Sequence, residues 1–131
     1  MLDTDICIFF LRGKLNLNEI IRKKGLENCY ISEITVFELK YGAENSDNPK
    51  KSHKAVDKFV KGLTVIPIFG IVYQYANSKV YLRKNGTPLH DEFDLIIGVT
   101  ALANEMTLVS DNTKDLRNIK NPKLENLVER K

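Results

Sequence analysis

Short apolar runs alternate along the chain with longer segments in which apolar residues recur at helical spacing. The runs lie at residues 1–3, 29–31, 63–68 and 107–109. They lack the alternation of a half-exposed strand, so they predict strands that are covered on both faces. The pattern therefore predicts an α/β domain, with three α/β/α layers and a central parallel sheet of four to five strands.

Local signals predict where the helices begin and end. Helices are expected over residues 16–24, 50–62, 71–84 and 91–104, and another is capped by Ser32 and runs to about Ala43. Gly25 is a helix stop. Residues 110–115 are expected to form a loop, and the tail over 121–131 to add a short edge strand around Leu124.

Length and composition limit the class of protein. The 131 residues predict a single domain over 1–131, because this length supports one core but not two. The two cysteines, Cys7 and Cys29, lie in apolar runs and predict buried thiols in a reducing compartment rather than a disulfide framework. No secretory leader or bilayer-spanning run is recognised, so we expect a cytoplasmic protein that does not bind membranes.

The distribution of positive charge says more than the net charge of +3. Lys50, Lys54, Lys58 and Lys61 recur at spacings of four, four and three, so they would lie on one side of a helix. We term this set the lysine face. It is either an ordinary solvated helix surface or a surface that contacts a nucleic-acid backbone.

Polar residues follow the first and fourth predicted strands, where a parallel sheet would place a ligand site. Asp3 or Asp5, after the first strand, could instead cap the following helix. The acids after the fourth strand could instead be turn residues. The residues concerned are Asp3 and Asp5 after the first strand, and Ser110, Asp111, Asn112 and Asp115 after the fourth.

Two further carboxylates lie on apolar helices. Glu38 falls between Ile34 and Tyr41 on a helix that is apolar nearly all round, so we expect its side chain to face protein and to need a cation. The alternative is a side chain that reaches solvent or an arginine. Asp91 and Asp94 open another apolar helix, where compensation of the helix dipole explains one acid more readily than two.

In a parallel sheet these acids can converge on one pocket. Several carboxylates in one pocket repel one another unless a divalent cation neutralises them. Oxygen ligands without His or Cys select Mg²⁺ or Mn²⁺. Such a site is typical of metal-assisted phosphodiester cleavage.

An ordered set of short motifs spans nearly the whole chain. The motifs are Leu2-Asp3-Thr4-Asp5, Ile31-Ser32 through Phe37-Glu38-Leu39 to Tyr41-Gly42-Ala43, Gly86-Thr87-Pro88, Phe93-Asp94 with Ile96-Ile97, and Leu108 through Asp115. This ordered set resembles one family, the PIN-domain toxins called VapC of VapBC toxin–antitoxin pairs.

The resemblance implies a doubly wound parallel sheet, Mg²⁺ or Mn²⁺ in an acidic pocket, and endonucleolytic cleavage of RNA, often tRNA or ribosomal RNA. It also implies a VapB-like antitoxin and a homodimer. The residues that match the four motif acids, and would be catalytic metal ligands, are Asp3, Glu38, Asp94 and Asp115. The residues that match the neighbouring polar positions are Ser110 and Asn112, and the further candidates are Asp5, Asp91 and Asp111.

This sequence departs from the family pattern in three ways. The first strand is unusually short, and Asp5 and Asp111 stand where Asn is frequent, which leaves the number of metal ions open. The resulting hypothesis is in-line hydrolysis of an RNA phosphodiester by a metal-activated water.

Two alternatives remain to this hypothesis. One is a non-catalytic PIN-fold binding module. The other is a haloacid-dehalogenase-like phosphatase, because Asp3-Thr4-Asp5 resembles that group's paired aspartates, although Cys7 stands where that group has Thr.

Overall fold

A computed structural model describes residues 1–14, 16–120 and 122–126 of the chain. Seven helices and four strands lie in these ranges, with short 3₁₀ turns at Leu26–Asn28 and Phe69–Ile71. The helices are α1 Thr4–Leu11, α2 Leu17–Lys24, α3 Glu33–Glu44, α4 Pro49–Lys61, α5 Val72–Lys84, α6 Glu92–Ala103 and α7 Thr113–Leu116. The strands are β1 Tyr30–Ser32, β2 Thr64–Ile66, β3 Leu108–Val109 and β4 Leu124–Glu125.

The sheet is built from two parallel strand pairs joined by the N-terminal segment. β1 pairs with β2 and β3 pairs with β4, both in parallel. The Leu2 N–H donates to the Tyr30 carbonyl at 2.8 Å, and on its other side Leu2 pairs in parallel with Val109. The order across the sheet is therefore β2, β1, residues 1–3, β3, β4, which confirms a parallel sheet of four to five strands.

Adjacent strand residues pack into two different clusters of apolar side chains. Leu2 and Val109 belong to one cluster with α1–α4, whereas Met1 and Leu108 belong to the other with α5–α7. Successive side chains of a strand point to opposite faces of the sheet. The clusters therefore lie on opposite faces, and the predicted three-layer arrangement is confirmed.

Capping residues fix the helix boundaries close to their predicted positions. The Ser32 hydroxyl accepts a hydrogen bond from the Ile34 N–H at 3.1 Å at the start of α3. Asn48 caps α4, whose first residue is Pro49. Gly25, with φ of 82°, ends α2.

Two segments differ from the sequence prediction. The strand predicted over residues 63–68 is shorter in the structure, where it is β2. It ends at Ile66, because the next residue, Pro67, has no N–H to donate. The loop predicted over 110–115 is wrong in its second half, because residues from Thr113 onward form α7, which buries Leu116. The predicted edge strand is confirmed at Leu124–Glu125, whereas residues 121 and 127–131 of the tail lie outside the described residues.

Two of the broader expectations also bear on the fold. Cys7 and Cys29 are free and buried, as their apolar surroundings predict. Among the helices that the structure describes, none is both long and apolar enough to cross a bilayer.

Candidate active site

Asp3 lies where the N-terminal strand segment gives way to α1. Its carboxylate accepts a hydrogen bond from the Thr4 N–H at 2.8 Å and another from the Ser110 hydroxyl at 2.7 Å. The side chain is deeply buried, with Asp3 only 3% exposed. Asp3 is thus the cap of α1 and also a buried acid at the carboxyl end of the sheet, so the two interpretations of this residue are not exclusive.

Glu38 projects from α3 towards the same place. Its Oε1 accepts a hydrogen bond from the Thr4 hydroxyl at 2.7 Å. Although α3 is apolar nearly all round in sequence, one of its faces is uncovered, because Phe37 and Tyr41 are 68% and 73% exposed. Glu38 lies at the edge of the buried face of α3 and is partly buried.

The two acids that open α6 have different surroundings. Asp91 is the N-cap, and its Oδ1 accepts hydrogen bonds from the N–H groups of Phe93 at 2.9 Å and Asp94 at 3.3 Å. Asp94 instead accepts a hydrogen bond from the Asn112 side chain at 3.2 Å. Helix capping therefore accounts for Asp91, and Asp94 is the acid that faces the residues after β3.

Asp5 links α1 to the same segment after β3. One carboxylate oxygen accepts from the Ile6 N–H at 2.7 Å and the other from the Asp111 N–H at 3.1 Å. The Asn112 N–H donates to the Ser110 hydroxyl at 2.9 Å. The segment after β3 is thus held against α1 by hydrogen bonds at several points.

Four carboxylates, Asp3, Asp5, Glu38 and Asp94, influence one another electrostatically, and we term them the acid cluster. Burial raises the pKa of Asp3 to about 6, with further contributions from the charges of Asp5 and Glu38. Burial also raises the pKa of Asp94 to about 7, helped by Asp3, Asp91 and Glu38. The pKa values of Asp5 and Glu38 are raised as well, mainly by burial.

The donor atoms of the acid cluster are those that Mg²⁺ and Mn²⁺ prefer, because they are carboxylate oxygens with no His or Cys among them. Within the described ranges, however, no three acidic, histidine or cysteine side chains are already arranged to hold a metal ion. Protein donors hold the carboxylates of Asp3, Glu38 and Asp94 at present. The residues fit a hard divalent cation in the chemistry of their donor atoms.

Asp115 and the lysine face lie on the surface, away from the acid cluster. Asp115 is exposed on α7, because the burial of Leu116 turns the preceding side chain outward. In the part of the chain that the structure describes, no hydrogen bond joins the Asp115 carboxylate to the acid cluster. The lysine face is exposed along α4, on the side opposite the buried Val56 and Phe59.

Sequence reasoning missed two hydroxyl groups beside the acid cluster. Thr4 donates to Glu38, and its oxygen is also 3.1 Å from the hydroxyl oxygen of Thr35, which is fully buried. Two signals could have found them. Thr4 stands between two acids in the sequence, and Thr35 lies three residues before Glu38, which puts both on one side of the helix.

The chain belongs to the PIN domain family, whose model matches residues 1–122. It is 30% identical over 131 residues to Ribonuclease VapC2 of Rickettsia felis, with 96% of each chain covered. It is 29% identical over 121 residues to the tRNA(fMet)-specific endonuclease VapC of Shigella flexneri, covering 91% of this chain and 90% of that protein.

A solved structure gives the same result for the fold. A chain of DNA-bound VapBC from Salmonella typhimurium matches with a TM-score of 0.89 at 27% identity, covering 96% of each chain. The resemblance inferred from the motifs is confirmed.

Proposed function

We propose that the protein is a metal-dependent endoribonuclease that acts in the cytoplasm as the toxin of a VapBC-type pair. The observation that carries this proposal is the acid cluster, whose carboxylates come from the start of α1, from α3 and from α6, have pKa values raised by burial and by neighbouring acids, and are hydrogen-bonded within the protein. Relatives that match over nearly their whole length are named as a ribonuclease and as a tRNA(fMet)-specific endonuclease.

Asp3 and Asp94 would be the principal ligands of Mg²⁺ or Mn²⁺, with Glu38 and Asp115 completing the site directly or through water. When bound, such an ion lowers the pKa of a water molecule and offsets charge on the scissile phosphate. Because the pKa values of Asp3 and Asp94 are raised, binding a cation displaces protons from them. We therefore expect the affinity for the ion to increase with pH between about 5 and 8.

Ser110 and Asn112 would orient the two principal ligands rather than bind the ion. Ser110 donates to Asp3, and Asn112 donates to Asp94. Hydrogen bonds of this kind fix the direction in which a ligand presents its oxygens. Asp5 and Asp111 add negative charge beside the pocket and are candidates for a contribution to a second ion.

We propose tRNA or ribosomal RNA as the substrate class. The Shigella relative is named for tRNA(fMet). The lysine face would hold the RNA backbone, which gives affinity that depends on salt but carries little sequence information.

A VapB-like antitoxin is the proposed partner, and a groove of about 270 Å³ between α1, α3 and α4 is the surface we propose for it. Apolar side chains such as Ile8 and Leu39 line this groove, and Glu38 lies in its wall. An apolar segment carrying a basic residue would match both. Gly42 lines the groove, and a Cβ there meets nothing within 4 Å, so a leucine fits without a clash and should fill the groove. Unchanged antitoxin binding by Gly42→Leu would contradict this assignment.

A homodimer is also proposed, because five large apolar side chains are 57–87% exposed on α3, the second 3₁₀ turn and the start of α5. The Ile68 N–H donates to the Glu33 carboxylate at 2.8 Å, which holds that turn beside the start of α3. Sedimentation should show a dimer that Phe69→Lys dissociates; a monomeric parent protein would contradict the proposal. The exposed side chains are Phe37, Tyr41, Phe69, Val72 and Tyr73.

The function is tested by incubating total RNA with the purified protein in Mg²⁺, in Mn²⁺ and in excess chelator. Asp94→Asn is the test variant, and Asp47→Asn, at an exposed position between α3 and α4, is the matched control. We expect discrete products that need a divalent ion, that Asp94→Asn does not form and that Asp47→Asn forms normally. Cleavage by Asp94→Asn, or cleavage in chelator, would contradict the proposal.

A non-catalytic PIN-fold module is the second candidate. It is favoured by the exposed position of Asp115 on α7 and by the protein donors that now hold the carboxylates. Such a module would bind RNA in a gel-shift assay and leave it intact with either ion.

A further inference from the structure

Among the residues that the structure describes, a single side chain holds the Glu38 carboxylate. Asp3 accepts two hydrogen bonds, from the Thr4 N–H and the Ser110 hydroxyl. Within the described residues, the carboxylate of Glu38 accepts only one, from the Thr4 hydroxyl at 2.7 Å. A glutamate has one more rotatable bond than an aspartate, so its carboxylate needs more restraint to stay in one place.

The direction of the hydrogen bonds follows from the number of protons. The Thr4 hydroxyl lies within hydrogen-bond distance of both Glu38 Oε1, at 2.7 Å, and Thr35 Oγ1, at 3.1 Å. A hydroxyl has one proton, and an ionised carboxylate can only accept. Thr4 must therefore donate to Glu38 and accept from Thr35, so the three groups form a chain with one direction.

Burial restricts the hydrogen-bond partners that the two threonine hydroxyl groups can have. Thr35 is fully buried and Thr4 is 7% exposed, so neither hydroxyl can readily exchange its partner for bulk water. Thr4 also lies next to Asp3 in sequence and donates its N–H to that carboxylate. One residue therefore contacts two of the proposed metal ligands through two different groups.

We propose that Thr4 is a positioning residue, whose hydroxyl, itself oriented by Thr35, holds the Glu38 carboxylate beside Asp3 for metal binding. This inference rests on the proposed function, since it takes Glu38 as a ligand. It gives Thr4 a role distinct from those of Ser110 and Asn112, which act on Asp3 and Asp94. Thr4 acts through Glu38 and does not itself touch the ion or the RNA.

The test measures Mn²⁺ affinity by calorimetry on the full chain, with the melting temperature measured in parallel. Thr4→Val removes the hydroxyl at constant shape, and Thr4→Ser restores it. The double variant Thr4→Val/Thr35→Val also removes the hydroxyl that Thr4→Val leaves buried without a partner. Thr100→Val is the matched control, because Thr100 is also buried and its hydroxyl donates to the Ile96 carbonyl of its own helix, away from the acid cluster.

We expect Thr4→Val to weaken Mn²⁺ binding by about tenfold or more, which is typical for loss of a group that orients a ligand. Thr4→Ser should restore the affinity to within about threefold of the parent protein. The double variant should recover melting temperature relative to Thr4→Val without recovering affinity, because repairing the core does not hold Glu38. Thr100→Val should bind Mn²⁺ like the parent protein.

Two reference variants keep the outcomes distinct. If Glu38→Gln weakens Mn²⁺ binding but Thr4→Val does not, the positioning role of Thr4 is wrong and the proposed function stands. If Asp94→Asn also binds Mn²⁺ like the parent protein, the proposed metal site itself is wrong, and the role of Thr4 falls with it. Recovery of affinity in the double variant would show that Thr4 acts on stability alone, which also overturns the inference.

Discussion

Replacing Asp3 with Asn should make the metal-free protein more stable while abolishing its activity. The Asp3 carboxyl is almost completely buried, and burial raises its pKa from 3.8 to about 6. The folded protein therefore binds the Asp3 proton more tightly than the unfolded chain does. Ionisation of the buried Asp3 carboxyl at neutral pH therefore destabilises the folded state.

The sign and the size follow from linkage. Stability that the protonated Asp3 provides is fully present below about pH 3.8 and is lost as the pH rises through about 6. At about 1.36 kcal/mol for each pKa unit, a rise from 3.8 to about 6 corresponds to about 3 kcal/mol at pH 7.5. At pH 4.5 the same shift contributes only about 1 kcal/mol, because the unfolded chain is then still partly protonated.

Asparagine keeps the hydrogen bonds of the position except one, because the Ser110 O–H loses the carboxylate as its acceptor, which offsets part of the gain. The asparagine side-chain oxygen can accept from the Thr4 N–H, as Asp3 does. Its amide can donate to the Ser110 hydroxyl, which has two lone pairs and accepts one bond already, from the Asn112 N–H. The substitution therefore removes the charge and keeps the cap.

The assay is urea unfolding of parent, Asp3→Asn and the exposed control Asp47→Asn in chelator at pH 4.5 and 7.5. We expect Asp3→Asn to exceed the parent's free energy of unfolding by about 1–3 kcal/mol at pH 7.5, and by clearly less at pH 4.5. Asp47→Asn should match the parent at both. A variant less stable than the parent at pH 7.5, or an equal difference at both pH values, would refute the reasoning.

Three further predictions concern the ion, the packing and the RNA. Mn²⁺ at about 100 times its dissociation constant should stabilise the parent by about 2.7 kcal/mol and leave the melting temperature of Asp94→Asn unchanged; an equal shift in both would place the ion elsewhere. Gly98→Val should lower the free energy of unfolding by about 1–3 kcal/mol, because a Cβ there would lie 2.7 Å from Ile119 Cδ1. Gly42→Ala, where a Cβ meets open space, should leave the free energy of unfolding unchanged. Changing the lysine face to Gln should reduce the slope of log affinity for single-stranded RNA against log salt by about 0.7 for each phosphate that is no longer neutralised; an unchanged slope would make it a solvated surface only.

Local signals were sufficient for most of the helices and for the parallel sheet. Ser32, Gly25 and Pro49 act within one turn of their own positions, so the sequence alone indicates where α3 begins and α2 ends. The apolar runs indicated a covered parallel sheet, because both faces of the strands pack against helices. α7 was missed because a helix of four residues is too short to show a helical period.

The composition of the candidate site was easier to predict than its hydrogen bonds. Asp3, Glu38 and Asp94 stand out in sequence because each is an acid in apolar surroundings. The hydrogen bond from Ser110 to Asp3 joins residues 107 positions apart, and only the order of the strands brings them together. The exposure of Tyr41 and Asp115 was likewise not predictable, since it depends on which helix face the neighbouring elements leave uncovered.

The most direct test of the central claim is anomalous diffraction at the manganese edge from crystals of the parent protein soaked in Mn²⁺. We predict an anomalous peak within ligand distance of carboxylate oxygens of both Asp3 and Asp94, with Glu38 beside it and no peak in crystals of Asp94→Asn. Crystals that hold Mn²⁺ only at other residues, while the same protein cleaves RNA in solution, would contradict the assignment of the acid cluster as the catalytic metal site.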